Sequence, residues 1–112
     1  MCDVILLYVT CADHNEAERI GRTLVIERLA ACVNIFDGMH SIYRWQGAVE
    51  DARESVLLCK TKTQLGDAVV KRITELHSYT TPCVLIFPVE GGTAEYLAWV
   101  AQEVCAPRAD KT

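Results

Sequence analysis

Apolar positions along this chain follow two patterns. Continuous or alternate-residue runs read as strands, and three-to-four-residue spacing reads as helices. Val4–Cys11 (VILLYVTC) is an unbroken apolar run rich in β-formers and predicts a strand buried on both faces. Asp13 follows, with Glu16 three residues later, the spacing of a capping box at a helix start. In that helix Ala17, Ile20, Leu24 and Leu29 fall near one stripe, and Glu16, Arg19, Arg22 and Glu27 fall mostly on the other side. Gly21 lies inside it at a cost of about 1 kcal/mol relative to Ala, unless close packing on a sheet requires a missing side chain.

Ala31–Ile35 reads as a second strand, broken at Asp37-Gly38 as a bulge or tight bend would break it, and resumed at Ile42–Trp45. Gln46-Gly47 reads as a hairpin tip, and Val49–Thr63 returns as a long strand. Thr63 is placed to cap the next helix. There Leu65, Ala68, Val69, Arg72, Ile73 and Leu76 keep helical spacing with only Arg72 polar. Cys83–Phe87 is a last strand, closed by Pro88. Gly91-Gly92 is a turn, and Thr93 is placed to cap a final helix running to Glu103, with Tyr96, Trp99 and Val100 on one face.

The order βαββαβα predicts an α+β domain, a ferredoxin-like βαββαβ sandwich with an extra C-terminal helix. Two helices on one side of the sheet leave the other side bare, and strands apolar on both faces cannot leave it wet. The second and third strands, near 15 residues each, also overshoot the usual 5 or 6. Both features predict that another subunit covers the sheet.

The length of 112 residues favours a single domain over 1–106, with a frayed polar tail over 107–112. The net charge of −4 and the scattered Lys and Arg speak against nucleic acid and anionic membrane as partners. No apolar run approaches transmembrane length. The six cysteines include no C-x-x-C pair, so zinc-ribbon and thioredoxin-like readings have no support. Acidic Asp3 precedes the short run Val4–Val9, unlike a secretory signal, and the expectation is a cytoplasmic protein with reduced thiols, several packed as small core hydrophobes.

Ala30-Ala31-Cys32-Val33-Asn34-Ile35, Tyr43-x-Trp45-x-Gly47, Glu50-Asp51, Tyr79-x-x-Pro82 and Tyr96-x-x-Trp99 stand in this order between positions 30 and 99. In that order and spacing they resemble the CutA divalent-cation tolerance family, and the resemblance covers positions 4 to 100. The resemblance implies tolerance to divalent metals, copper above all, and a homotrimer whose three sheets pack around a threefold axis, an assembly like that of the PII signalling proteins.

The resemblance also implies a metal site for copper or another divalent cation at Cys32, Cys11 and His77. Thiolate and imidazole suit Cu(I) and Zn(II). Cys32 falls on the family's second-strand cysteine. Val9 stands where a first-strand cysteine is expected, with Cys11 two residues later, about 7 Å along the strand. His77-Ser78-Tyr79 stands where relatives often have His-Pro-Tyr. The plainer reading makes Cys32 a core thiol and His77 a solvated helix-end residue. Tyr43, Trp45, Glu54, Lys60, Tyr79 and Trp99 form a second candidate, a cleft between subunits for a small ligand. The plainer reading makes Tyr43 and Trp45 interface anchors. No catalytic residue is assigned: the chain has no G-x-S-x-G or H-E-x-x-H, and Cys32 follows a helix end rather than a helix start. His14 and His40 read as surface residues.

Overall fold

The first apolar run forms strand β1 (Val4–Cys11) in the computed structural model, which describes residues 2–107. It is followed by α1 (His14–Ile26), β2 (Cys32–Trp45), β3 (Ala48–Lys62), α2 (Gly66–Leu76), β4 (Val84–Pro88) and α3 (Ala94–Glu103). The four strands make one antiparallel sheet in the order β2-β3-β1-β4. β3 lies between β1 and β2, so the first βαβ unit is split, as the element order predicted.

The core lies between one side of the sheet and helices α1 and α2. Leu7, Val9, Leu57 and Cys59 from the sheet meet Ile20, Leu24, Val69 and Ile73, all fully buried. Gly21 explains itself here: a Cβ at this position would stand 2.9 Å from Val33 Cγ2 and 3.0 Å from Leu57 Cδ1. Arg72, the one polar residue on the α2 stripe, donates to both carboxylate oxygens of Glu27 at 2.9 and 2.8 Å and ties α2 to α1.

The opposite side carries Leu58 and Lys60 from β3 and Leu85 and Phe87 from β4. Helix α3 lies against part of it, with the Lys60 ammonium 5.5 Å from the centre of the Tyr96 ring. Leu85 and Phe87 stay about half exposed, at 51% and 48%, and Phe36 at 57%. One terminal helix does not cover this face.

β1 pairs with β3 only over Ser55–Lys62. The remainder, Ala48–Glu54, pairs with Met39–Trp45 alone and projects as a two-stranded ribbon. Its base is a bulge between Phe36 and Met39, where Gly38 takes a φ of +73°. Its tip is Gln46-Gly47 with φ of +50° and +83°, the type I′ pattern that suits a two-residue hairpin.

Five details differ from the sequence expectation. Helix α1 ends at Ile26, so Glu27 and Leu29, read as part of it, lie beyond its end. Thr63 opens a 3-10 turn, Thr63–Leu65, with no capping bond from a side chain, because α2 starts at Gly66. Cys83 precedes β4 rather than beginning it, although its carbonyl accepts from Thr10 N–H. Thr93 occupies the cap position of α3 without a side-chain bond. Glu16, read as part of the polar side of α1, is buried at 7% exposure. The proposed tail over 107–112 lies outside the described residues apart from Pro107.

Candidate functional site

The turn from β1 into α1 brings chemistry together. Asp13 caps α1, its Oδ1 accepting Glu16 N–H at 2.9 Å. Glu16 then folds inward instead of bonding its own cap residue. Its Oε1 accepts Ala12 N–H at 2.8 Å, and its Oε2 accepts Ser78 N–H, 62 residues away, at 2.8 Å. Burial works to raise the Glu16 carboxyl, but these backbone donors outweigh it and the net direction is down.

His77 ends α2 with its side chain wholly buried. Its Nε2–H donates to the Thr10 carbonyl at 2.7 Å, and its Nδ1 accepts Tyr79 N–H at 3.0 Å. A carbonyl can only accept and an amide N–H can only donate, so these bonds fix the tautomer with hydrogen on Nε2. Cys11 Sγ lies beside them, its thiol pushed up to about 12 by burial first and by Glu16 second. Donor atoms of Cys11, Glu16 and His77 all fall within 4.8 Å of one another.

A cleft of about 590 Å³ opens beside this cluster. Tyr43 and Trp45 reach it from the ribbon, Glu54 from the ribbon's junction with the sheet, and Tyr79 from the loop after α2. Tyr79 O–H donates to Glu54 Oε2 at 2.6 Å. Burial, then this carboxylate, pushes the Tyr79 hydroxyl above its ordinary value. The Tyr79 and His77 rings stand 4.8 Å apart, so the same loop serves both the cluster and the cleft.

The predicted residues thus sort into two groups. Tyr43, Trp45, Glu54 and Tyr79 line one cleft, formed within a single chain. Lys60 and Trp99 do not: both pack on Tyr96, at 5.5 and 5.6 Å. Cys11 and His77 converge, but Cys32 does not join them. Cys11 pairs across from Ser55 and Cys32 across from Lys60, positions roughly 17 Å apart along β3 and on opposite faces of the sheet. Cys32 is half-buried beside Lys60, its Sγ 3.8 Å from the Val33 carbonyl. His77 is buried rather than solvated, because Thr10 and Tyr79 supply partners for both ring nitrogens. Sequence reasoning missed Glu16, whose only signal was its place in the helix-start pattern. The histidines read as surface residues are exposed: His14 meets Asp37 at 3.0 Å and His40 meets Asp51 at 2.8 Å.

An antiparallel α+β sandwich with a projecting β2–β3 ribbon is the class of structure these observations define. Residues 5–103 match the model of a family described as CutA1 divalent ion tolerance protein. The chain is 43% identical over 102 residues to the divalent-cation tolerance protein CutA of Thermus thermophilus, covering 91% of this chain and 97% of that one. It is 42% identical over 99 residues to a CutA homolog of Danio rerio, covering 88% of this chain but 66% of that longer protein. Its fold superposes on the crystal structure of CutA from Xylella fastidiosa with a TM-score of 0.90 at 44% identity, covering 92% and 99% of the two chains. The chain belongs to the CutA1 divalent ion tolerance family.

Proposed function

We propose that this chain acts in tolerance to divalent cations, copper above all, as a homotrimer that binds the metal ion rather than transforming it. The observation that carries this reading is the convergence of a thiol, a carboxylate and an imidazole, Cys11, Glu16 and His77, within 4.8 Å. Sulfur and imidazole nitrogen suit copper and zinc. Both Glu16 oxygens and both His77 ring nitrogens have hydrogen-bond partners without an ion, so an incoming cation must displace the Cys11 proton and one bond of His77. Binding is then coupled to proton release and strengthens as pH rises. The trimer is supported by the half-exposed apolar residues on the side of the sheet that α3 leaves open and by the ribbon, which extends past its neighbours in the sheet.

A Cu(I) competition titration under reducing conditions tests this, with wild type beside Cys11→Ala, His77→Ala and Cys32→Ser and the assembly mass checked in each sample. The expected result is loss of stoichiometric binding in Cys11→Ala and His77→Ala and retention in Cys32→Ser. Loss in Cys32→Ser alone would move the metal to the other face of the sheet and overturn the cluster.

A second reading is favoured by a separate observation: four residues distant in sequence line the cleft at Tyr43, Trp45, Glu54 and Tyr79. In this reading the trimer is a signalling or scaffold module that binds a small ligand, and the metal phenotype is indirect. It predicts that Trp45→Ala and Tyr79→Ala abolish function while metal-ligand substitutions do not.

A further inference from the structure

We propose that the cleft lined by Tyr43, Trp45, Glu54 and Tyr79 binds a small organic cation, an alkylammonium group held between the aromatic rings and the Glu54 carboxylate. The proposal rests on the cleft being a ligand site and adds the class of ligand.

Three observations converge on it. The first is charge. Glu54 is 8% exposed, and its carboxylate is the one acidic group in the lining. Among the described residues no Lys, Arg or His lines the cleft, and no cation stands within ion-pair distance of Glu54. Glu54 has a hydroxyl donor in Tyr79 but no cation beside it, so an incoming cation would supply the opposite charge. The second is the use of its oxygens. Oε2 takes the Tyr79 hydroxyl, and no side chain or backbone donor among the described residues takes Oε1. The third is the wall. Two tyrosines and a tryptophan line the cleft around one acid, and aromatic rings attract ammonium groups through the negative quadrupoles of their faces. The other lining side chains are mainly small hydroxyls, Thr10, Ser41, Ser78, Thr80 and Thr81, which donate and accept without adding charge. An anionic ligand such as a nucleotide meets the opposite of what it needs here: one buried negative charge and no cation.

The volume of about 590 Å³ lies in the usual range for small-molecule sites. Both quaternary ammonium groups and primary amines share the required chemistry. They differ in that a primary amine can also donate to Oε1, whereas a quaternary group relies on the rings.

Isothermal titration of the intact protein tests the inference, using tetramethylammonium, putrescine, the neutral branched alcohol 2,2-dimethylpropan-1-ol and ATP as separate probes. At least one cation should bind and the neutral alcohol should not. Glu54→Gln, which keeps an acceptor for Tyr79, should weaken that binding on the order of tenfold to a hundredfold. Trp45→Leu should weaken it as well in samples whose assembly mass matches wild type; Trp45 is half exposed on the ribbon and lies outside the core. A larger loss for putrescine than for tetramethylammonium in Glu54→Gln would mark a primary amine as the natural class, and the reverse pattern in Trp45→Leu a quaternary one. Binding of the alcohol or ATP with both cations inert would keep the cleft as a ligand site and overturn the cation. Heat from none of the four probes would overturn both. Cation binding that is unchanged in both variants would place it elsewhere and also overturn the inference.

Discussion

Glu16→Gln should cost this protein far more than an isosteric change on the first turn of a helix ordinarily does. The Glu16 side chain accepts two backbone N–H groups, Ala12 and Ser78, one on each carboxylate oxygen at 2.8 Å. Hydrogen bonds to a charged acceptor contribute about 1.5–3 kcal/mol each, which bounds the pair at about 3–6 kcal/mol. Glutamine keeps one oxygen, so one bond survives in its weaker neutral form. The other backbone N–H then faces an NH₂ group, two donors with no acceptor between them. The expected loss is about 2–3 kcal/mol. Urea unfolding followed by circular dichroism measures it, with wild type and variant at equal protein concentration because an oligomer's midpoint depends on concentration. The pH dependence sharpens the test. The folded carboxyl lies below its ordinary value of 4.5. Its contribution is therefore complete above that value and is lost as pH falls through the lowered folded one. The gap between wild type and variant should be full at pH 7 and shrink in acid. A gap below about 0.5 kcal/mol at pH 7, the size of an ordinary surface change, or a gap indifferent to acid, would refute the reasoning.

Gly21→Ala should gain about 1 kcal/mol of helix propensity but lose more to overpacking, because Val33 is stiff at χ1 and Leu57 is fully buried; a raised urea midpoint would contradict this. Gly47→Val should destabilise the ribbon tip by about 1–2 kcal/mol through its φ of +83° alone, since nothing lies within 4 Å of a Cβ there, whereas Gly91→Ala, with equal space and no such φ, should leave the melting point unchanged. His14 should titrate above its ordinary value near 6.5 because its Nδ1 bonds Asp37, and Asp37 below its ordinary 3.8 because of the same bond. The Asp37 contribution is lost as pH falls through its lowered value and the His14 contribution as pH rises through its raised one, so the pair supports the bulge across the interval between. An imidazole NMR titration in which Asp37→Asn leaves the His14 midpoint unmoved would remove that cause.

Much of this architecture was legible because its signals are local. The apolar run of β1, the α2 stripe ending at Leu76 and the Gln46-Gly47 tip each depend on residues within a few positions of one another. The bulge at Asp37-Gly38 announced itself as an interruption between two strand halves, and the structure keeps both halves in one strand, Cys32–Trp45. The sites were legible only in part, because they join distant segments. Glu16 sits where a helix-start acid belongs, and nothing near it in sequence reveals that it bonds Ser78 instead of its own cap. Cys32 fits a strand position but lies one face and several residues away from Cys11, a consequence of β-sheet register that spacing alone does not give. Lys60 and Trp99 share charge or aromatic surface with the cleft residues, but the fold puts these two beside Tyr96. Tyr43, Trp45, Glu54 and Tyr79 meet in one cleft because the ribbon and the loop after α2 come together there.

Native mass spectrometry under reducing conditions with added Cu(I) is the most direct test of the central claim, since one spectrum counts both chains and bound ions. The account predicts an assembly of three chains that carries copper and loses it in His77→Ala without losing chains. A single chain at micromolar concentration, or three chains that bind no copper in excess Cu(I), would contradict it.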